Sequence, residues 1–530
     1  MKFKKIEPQD PFNQDEAGSA GHLKVAVSGS NDFYGANSLE TFSSTSGLNL
    51  THEDAEGFLD YPTSFAGKAA NFWRKDVGVK VWAYEEAYDN WQDTLGMDAV
   101  NVFYHSGHGN MDANGVFQAP MGGVWDGRDW AYSNNMAFAN EKLRYLFWST
   151  CFSLRVSGPD NPVKTWWEPN KGGLRMMFGY ETTSVDDASY GSKFWEEWKK
   201  GKSFARAFLD ASWRISHSQV PVVLASGANQ NDAINRLNNE RFFSQAAVAK
   251  AWYQWQWIGT LPNRSFVNKT SIPKEINGLI LSNKFTKDEA ISALASKLGL
   301  SKAKAGTILF DANGNRMITS KDLQMHVNAE GAINLNFGKA NFNNRVLLDE
   351  SKAVKIAQSF ISNMNLSAGV ELSLGNIRHH FTCGGTLNGS GTLEAPSAIE
   401  TLVQFRQVHR GVESINSDHG LITVNVDNDG RVLNVYDTSK LVLGEVDPRT
   451  LDGSSPRDPN KTGKSISIET RFSKRVERLT GCDTDQSRVI RESIGYDFSG
   501  KHGAVVHQKD IEVYYGENIK KRYKVRVPLE

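Results

Sequence analysis

Cysteine is scarce in this chain of 530 residues: Cys151, Cys383 and Cys482 are all it has. Three cysteines cannot build the disulfide framework of a small secreted fold, so a reducing compartment is the simpler expectation. If Cys383 and Cys482 pair, the odd count leaves Cys151 free. Net charge is absent as well, since 60 basic side chains balance 60 acidic ones. No basic excess argues for a nucleic-acid partner or an anionic membrane surface. Long apolar runs are also missing. No stretch is long enough to span a bilayer, and residues 1–18 lack the apolar segment of a secretory signal. A cytoplasmic location is expected, with non-classical export left open. The zinc motif His-Glu-x-x-His does not occur, and His379-His380 with Cys383 has no second Cys/His pair nearby. Neither a metal nor an organic cofactor is therefore expected.

Aromatic residues make up 11% of the chain and charged residues 23%, which fits a folded globular protein. The length exceeds what one core accommodates, and roughly two to four domains are expected. Two apolar segments stand out because each ends in a reactive residue: Val100-Asn-Val-Phe-Tyr-His-Ser-Gly-His108-Gly109 and Leu143-Arg-Tyr-Leu-Phe-Trp-Ser-Thr-Cys151. Apolar runs of this length between polar residues read as buried strands. If the strands are parallel, they deliver His108 and Cys151 to one edge of a sheet, where ligands of α/β folds gather. An imidazole beside a thiol generates a thiolate nucleophile and later protonates a leaving amine. Gly107 and Gly109 flank His108 and let a substrate backbone approach, and the Gly109 amide is a candidate oxyanion donor. His105, earlier on the same strand, is the rival base.

Strand and helix signals alternate from about residue 20 to 230. Strands are expected at Leu23–Ser28, Val79–Tyr84, the His108 and Cys151 segments, Leu174–Gly179 and Val220–Ala225, with a loop through Ser28, Gly29, Asn31 and Gly35 after the first. Helices are expected at Ala66–Lys75, Tyr88–Leu95, Ala188–Lys199 and Ser203–His217, the last capped by Ser203. This alternation predicts an α/β sandwich around a mostly parallel sheet. Residues 231–257 read as mostly helical, and residues 261–275 and 453–460 as linkers. Beyond the first linker the texture is α+β. Helices are expected at Thr286–Leu298 and Asp349–Met364, a hairpin over Ile308–Ile318, and strands at Thr401–Val408, Leu421–Val426 and Arg431–Val435. Strand-like runs at Ala504–His507 and Ile511–Tyr515 precede a basic close from Lys520 to Arg526. The expected domains span residues 20–260, 276–340, 345–450 and 464–530.

Tyr104-His-Ser-Gly-His108-Gly109 resembles the Tyr-x-Gly-His-Gly pattern of the caspase-like (clan CD) cysteine peptidases, which include gingipains, separases, legumains and CHAT peptidases. Ser149-Thr-Cys151 is similar to their nucleophile strand, although Thr150 stands where a small residue is common. The stretches from Ser184 to Trp195 and from Gly201 to Ala211 are similar to the region after the cysteine in CHAT peptidases and gingipains. The four segments keep that group's order over roughly residues 20–230. The resemblance implies a caspase-like sandwich with a mostly parallel six-stranded sheet, followed by α+β domains. It implies His108 as base, Cys151 as nucleophile, and a peptide or protein substrate cleaved through an acyl-enzyme. In related peptidases a carboxylate in the region of Asp186 accepts a basic side chain, which makes Asp186 a substrate-binding candidate. Asp187, just before Ala188, reads better as a helix cap.

A second resemblance covers residues 345–440. Thr401 to Ile415 and Val424 to Val435 are similar to the fungalysin–thermolysin propeptide (FTP) and PepSY modules, which inhibit or chaperone a peptidase. It implies that the carboxy-terminal half regulates access to Cys151, by intramolecular inhibition, or recruits substrate. Two other readings of the dyad stay open. One is a non-catalytic scaffold that keeps the sheet around an occluded thiol. The other is a peptide ligase, in which an amine rather than water resolves the acyl-enzyme. Asp311, Asn313 and Asn315 mimic the first ligands of a calcium loop, but Arg316 and Asp322 replace the glycine and glutamate such a loop needs, so a hairpin turn is expected there.

Overall fold

The structure, a computed structural model, describes residues 3–5, 9–12, 32–66, 69–260, 271–273, 275–285, 288–300, 308–311, 314–320, 322–388, 391–448, 467–481, 486–516 and 519–529. Five parallel strands lie at its centre, in the order Trp73–Lys75, Tyr34–Ser38, Val102–Ser106, Tyr145–Ser149 and Met176–Tyr180. Side chains on a strand alternate between the two faces, and here both faces are covered. Val102, Tyr104, Tyr145, Phe147, Met176 and Phe178 share one core with residues of the helices Thr51–Ala66, Tyr190–Trp198 and Phe204–Ile215. Phe147 stacks on Phe178 with ring centroids 4.0 Å apart. Phe103, Leu146, Trp148 and Met177 enter the opposite core, closed by the hairpin of Phe117–Trp125 with Arg128–Tyr132 and by the helix Pro162–Trp166. Burial on both faces is why the His108 and Cys151 segments are apolar at nearly every position.

Local chemistry places the helices. Ser203 caps the helix Phe204–Ile215 by accepting the Arg206 N–H at 3.3 Å, and Asp349 caps Glu350–Met364 by accepting the Lys352 N–H at 3.1 Å. The helices Thr51–Ala66 and Tyr190–Trp198 meet at Gly191, where a methyl group would lie 2.3 Å from the Phe58 backbone nitrogen. Asp54 ties the pair to the sheet. Its buried carboxylate accepts hydrogen bonds from Tyr104 OH (2.6 Å), Ser106 Oγ (2.7 Å) and the Gly191 N–H (3.0 Å).

The fold class is mixed α/β on one large mixed sheet, and that sheet does not stop at the six strands expected. Pro221–Gly227 joins Met176–Tyr180 antiparallel. Trp252–Gly259, expected to be helical, is a strand that extends the sheet to Glu371–Thr386 in the carboxy-terminal half. Its sequence Trp-Tyr-Gln-Trp-Gln-Trp has a period of two, which puts Tyr253, Trp255 and Trp257 into one core. The sheet runs on, antiparallel, through Ser397–His409, Leu421–Asp427, Val432–Asp437 and Ile333–Asn336, with the helix Glu350–Met364 packed against it.

Other segments also depart from expectation. The helix expected at Ala66–Lys75 lies earlier, at Thr51–Ala66, and Trp73–Lys75 is a strand. Val79–Tyr84 is not a strand but carries a buried 3-10 turn at Val81–Ala83. Gly35, expected in a loop, sits inside the strand Tyr34–Ser38. The expected strand Leu23–Ser28, residues 261–270 of the first linker and all of the second lie outside the described residues.

The basic close of the chain is a strand. His502–Tyr515 and Ile519–Pro528 form an antiparallel hairpin, with Tyr514 opposite Lys520 and Val513 opposite Lys521. The hairpin belongs to a second, five-stranded sheet with Lys440–Val446, Gly278–Asn283 and Ser487–Asp497. Ile519, Tyr523, Val525 and Val527 pack with Phe472 and Val476 of the helix Ile468–Thr480. No described helix is long and apolar enough to cross a membrane.

Candidate active site

The strands Val102–Ser106 and Tyr145–Ser149 are parallel and end together, with Ser106 opposite Ser149. The chain beyond each strand leaves the sheet at the same edge, carrying His108 and Cys151, both fully buried. Gly109 brings the two segments into contact. A methyl group there would lie 2.8 Å from the Cys151 carbonyl oxygen and 2.9 Å from Thr150 Cβ. Gly109→Ala is expected to lower stability by about 1–3 kcal/mol, the usual cost of overfilling a packed space. The check is the midpoint of urea unfolding; an unchanged midpoint would mean that the two strand ends separate freely.

His108 Nε2 lies 3.1 Å from the Ser46 carbonyl oxygen, which can only accept, so Nε2 carries the ring proton. Nδ1 then presents a lone pair, and it is buried without a hydrogen-bond partner among the described residues. The ring packs against Phe42 (centroids 4.7 Å apart) and Tyr515 (5.2 Å). Burial, helped by the nearby charge of Lys521, pushes its pKa down to about 3 despite the Ser46 hydrogen bond. A histidine depressed in this way contributes stability that is complete above its unfolded value near 6.5 and is lost as pH falls toward 3. An NMR titration of the His108 ring is expected to show no inflection between about pH 5 and 8, the range in which an unburied histidine changes charge. An inflection near 6.5 would place the imidazole in water.

His105, the rival base, lies within the strand Val102–Ser106 and joins a buried chain of hydrogen bonds through one ring nitrogen. Its Nδ1 lies 2.7 Å from Tyr84 OH, which also accepts the Asn37 side-chain amide at 2.7 Å. Tyr84 OH can donate to that nitrogen or accept its N–H. His105 Nε2, like His108 Nδ1, has no hydrogen-bond partner among the described residues. What sets His108 apart is its place beyond the strand end, in the segment that touches Cys151.

In this resting arrangement Cys151 is hydrogen-bonded to Ser184 and Lys520, not to His108. Its sulfur accepts the Ser184 N–H at 3.3 Å and lies 3.5 Å from Ser184 Oγ. Its own proton points to the Lys520 carbonyl oxygen, 3.3 Å away. Phe152, the next residue, has φ of 56°, a left-handed conformation that costs a bulky side chain about 1–3 kcal/mol and turns the chain sharply beyond the thiol.

Ser184 Oγ accepts a hydrogen bond from Lys521 Nζ at 3.1 Å. Two residues on, Asp186 is 8% exposed and accepts the Asn49 N–H at 3.3 Å. Burial pushes its pKa up to about 6, and the Lys521 charge pulls the other way. Asp187 does not cap a helix at Ala188. The helix begins at Tyr190, and Asp187 accepts the Ser189 N–H at 2.9 Å in the turn before it.

Sequence reasoning missed Ser46, Ser184, Tyr515, Lys520 and Lys521. A single loop before the helix Thr51–Ala66 supplies Ser46 to His108 and Asn49 to Asp186. Its run Phe42-Ser-Ser-Thr-Ser-Gly47 was the available signal. Two large clefts open elsewhere on the surface, and neither is lined by Cys151, His108 or Asp186.

Among the described residues, no group of three or more His, Cys, Asp or Glu side chains is placed to hold a metal ion. His379 pairs with Glu350 (2.9 Å), His380 with Glu400 (3.2 Å), and the Cys383 thiol donates to the Glu394 carbonyl (3.1 Å). Asp311 accepts the Asn315 N–H (2.9 Å) within a hairpin turn. Cys482, and with it the pairing considered for Cys383, lies outside the described residues.

Residues 34–258 match the model of a protein family described as a domain of unknown function (DUF6345). The matched stretch contains His108, Gly109, Cys151 and Asp186 and ends within the strand Trp252–Gly259. No curated protein matches the chain.

Proposed function

We propose that the chain is a caspase-like cysteine endopeptidase, with Cys151 as nucleophile and His108 as base. The observation that carries this reading is the unpartnered Nδ1 lone pair of His108, oriented by the Ser46 carbonyl at the end of the strand beside the Cys151 strand. Five parallel strands followed by the antiparallel Pro221–Gly227, with a core on each face, support a caspase-like sandwich within the larger sheet. The helix Glu350–Met364 over antiparallel strands supports an FTP/PepSY-like module at residues 345–450.

The chemistry follows from these groups. His108 Nδ1 takes the Cys151 proton, and the sulfur adds to the substrate carbonyl carbon. As the C–N bond breaks, the same proton passes from His108 to the leaving amine, and a thioester remains. Water then adds to the thioester, giving one proton to His108. The C–S bond breaks, that proton returns to sulfur, and the carboxylic acid product departs. Backbone amides near Gly109 and Cys151 are the candidates to hold the oxyanion. Ser184 and Asp186 form the pocket for the substrate side chain. That pocket already holds an ammonium group, which supports cleavage beside lysine or arginine. The dyad needs no metal or organic cofactor.

A peptidyl acyloxymethyl ketone carrying lysine next to its reactive group is expected to label Cys151 and neither other cysteine, as mapped by mass spectrometry. The complete burial of Cys151 favours a non-catalytic scaffold instead, so what buries it is decisive. Failure to label Cys151 even with that cover displaced would support the scaffold.

A further inference from the structure

Cys151 is buried by the end of its own chain. Val185 and Arg522 form a parallel β-bridge. The Asp186 N–H donates to the Arg522 carbonyl at 2.9 Å, and the Arg522 N–H donates to the Ser184 carbonyl at 3.2 Å. The strand Ile519–Pro528 pairs with His502–Tyr515 on one side, so its other side is a sheet edge, and such an edge pairs readily with an extended segment. Here that edge pairs with the segment that lines the proposed pocket.

Three groups of the hairpin meet three groups of the site. The Lys520 carbonyl takes the Cys151 proton, the Tyr515 ring packs on His108, and Lys521, 3% exposed, reaches Ser184 Oγ. An ammonium buried this deeply is costly unless a carboxylate lies near, and Asp186 supplies one. Lys524 adds anchors to the Ile215 carbonyl (2.6 Å) and Ser417 Oγ (3.2 Å). The contacts that the carboxy-terminal half makes with Cys151, His108 and Asp186 among the described residues thus come from Tyr515, Lys520 and Arg522, not from the FTP-like residues 345–440. The Lys520 carbonyl oxygen faces the thiol as a hydrogen-bond acceptor at 3.3 Å, whereas attack requires that oxygen to be turned toward separate donors.

We propose that the strand Ile519–Pro528 is a built-in pseudo-substrate, seated in the Cys151 cleft with Lys521 in the side-chain pocket, and that it must leave before a peptide can bind. The proposal rests on the peptidase reading of the same site. Its tether to the enzyme gives the occupant an effective concentration on the order of millimolar, so release requires a weakened dock or a competing ligand. The hairpin leaves as a unit, because its internal pairing and its packing on Phe472 and Val476 do not depend on the cleft.

Two full-length variants test this. Lys521→Glu sets a carboxylate against Asp186. Arg522→Pro removes the N–H that bonds Ser184 and leaves the hairpin's backbone ladder intact, since proline is tolerated on an edge strand at an outward N–H. It also deletes the Arg522 side-chain contacts with Glu512 of the hairpin and with the Ser218 carbonyl. In both, iodoacetamide is expected to alkylate Cys151 at least tenfold faster than in the parent, with peptide hydrolysis rising in parallel. A synthetic peptide of residues 519–527 is expected to reverse both effects. Unchanged alkylation in variants with the parent's circular dichroism and melting temperature would overturn the proposal. Faster alkylation with no hydrolysis by any chain would leave the cover standing and remove the peptidase. If neither variant folds, hydrogen exchange on the parent decides. The Asp186 amide is expected to open as fast as Cys151 is alkylated, and alkylation tenfold faster than that opening would show the thiol reached with the strand in place.

Discussion

His108→Ala is expected to lower kcat for peptide hydrolysis by about a hundred- to ten-thousandfold, the range for loss of a positioned general base. This corresponds to about 3–5 kcal/mol of barrier. The expectation follows from the roles of the two ring nitrogens. Nε2 is committed to Ser46, and only Nδ1 is left to receive the thiol proton. The loss should fall on kcat with little change in KM, because the imidazole touches the reacting bond and not the substrate side chain. Asp186→Asn should do the reverse. It should weaken lysine substrates by about a hundredfold or more, as loss of a buried charge partner does, while neutral substrates change little. Steady-state kinetics in the parent and in the Arg522→Pro chain separate the two effects. Equal losses on lysine and neutral substrates in the Asp186 variant would remove that carboxylate from the pocket.

Glu400→Ala is expected to cost about 3–5 kcal/mol of stability, the penalty for deleting one partner of a buried charge cluster. Glu400 is 1% exposed and joins the two halves of the protein. It lies on the strand Ser397–His409 and binds Arg206 of the helix Phe204–Ile215 through contacts of 2.9 and 3.1 Å, along with His380 at 3.2 Å and Asn425. Burial pushes its carboxyl up, but Arg206 and His380 overcome this and hold it well below the usual carboxylate range. The stability it contributes is therefore present above its unfolded value of 4.5 and is lost as pH falls below that value. Denaturant midpoints at neutral and acid pH test both points. The variant should be weaker at neutral pH and should lose less than the parent on acidification. A neutral-pH midpoint within error of the parent's would show that the cluster does not couple the halves.

The legible parts of this fold were those in which local pattern and burial agree. The His108 and Cys151 strands are apolar on both faces because three helices cover one side and a hairpin with the helix Pro162–Trp166 covers the other, and that leaves an unbroken mark in sequence. The Ser203 cap and the Asp311 turn are set by side-chain bonds within a few residues, so they too could be read. Long-range context hid the rest. Val79–Tyr84 alternates like a strand but is folded into a turn beneath a hairpin. Tyr34–Ser38 reads Tyr-Gly-Ala-Asn-Ser and becomes a central strand through its neighbours on both sides. Trp252–Gly259 carried a period of two, and its aromatic richness masked it.

Within the candidate site, His108 and Cys151 were legible because each follows an apolar strand, whereas Asp186 was singled out only by the resemblance to caspase-like peptidases. Ser46 and Ser184, which fix them, sit in loops without periodicity. The carboxy-terminal strand read only as a basic close. Its seat against Ser184–Asp186 could not be read, because the partners are separated by more than 300 residues of chain.

Cleavage of a randomised peptide library by the Arg522→Pro chain, with the same chain carrying Cys151→Ala as control, is the most direct measurement of the dyad's function. The expected result is a set of cuts beside lysine and arginine that vanishes in the control. Cuts that persist unchanged without the thiol, or no cuts from a chain whose Cys151 is readily alkylated, would contradict it.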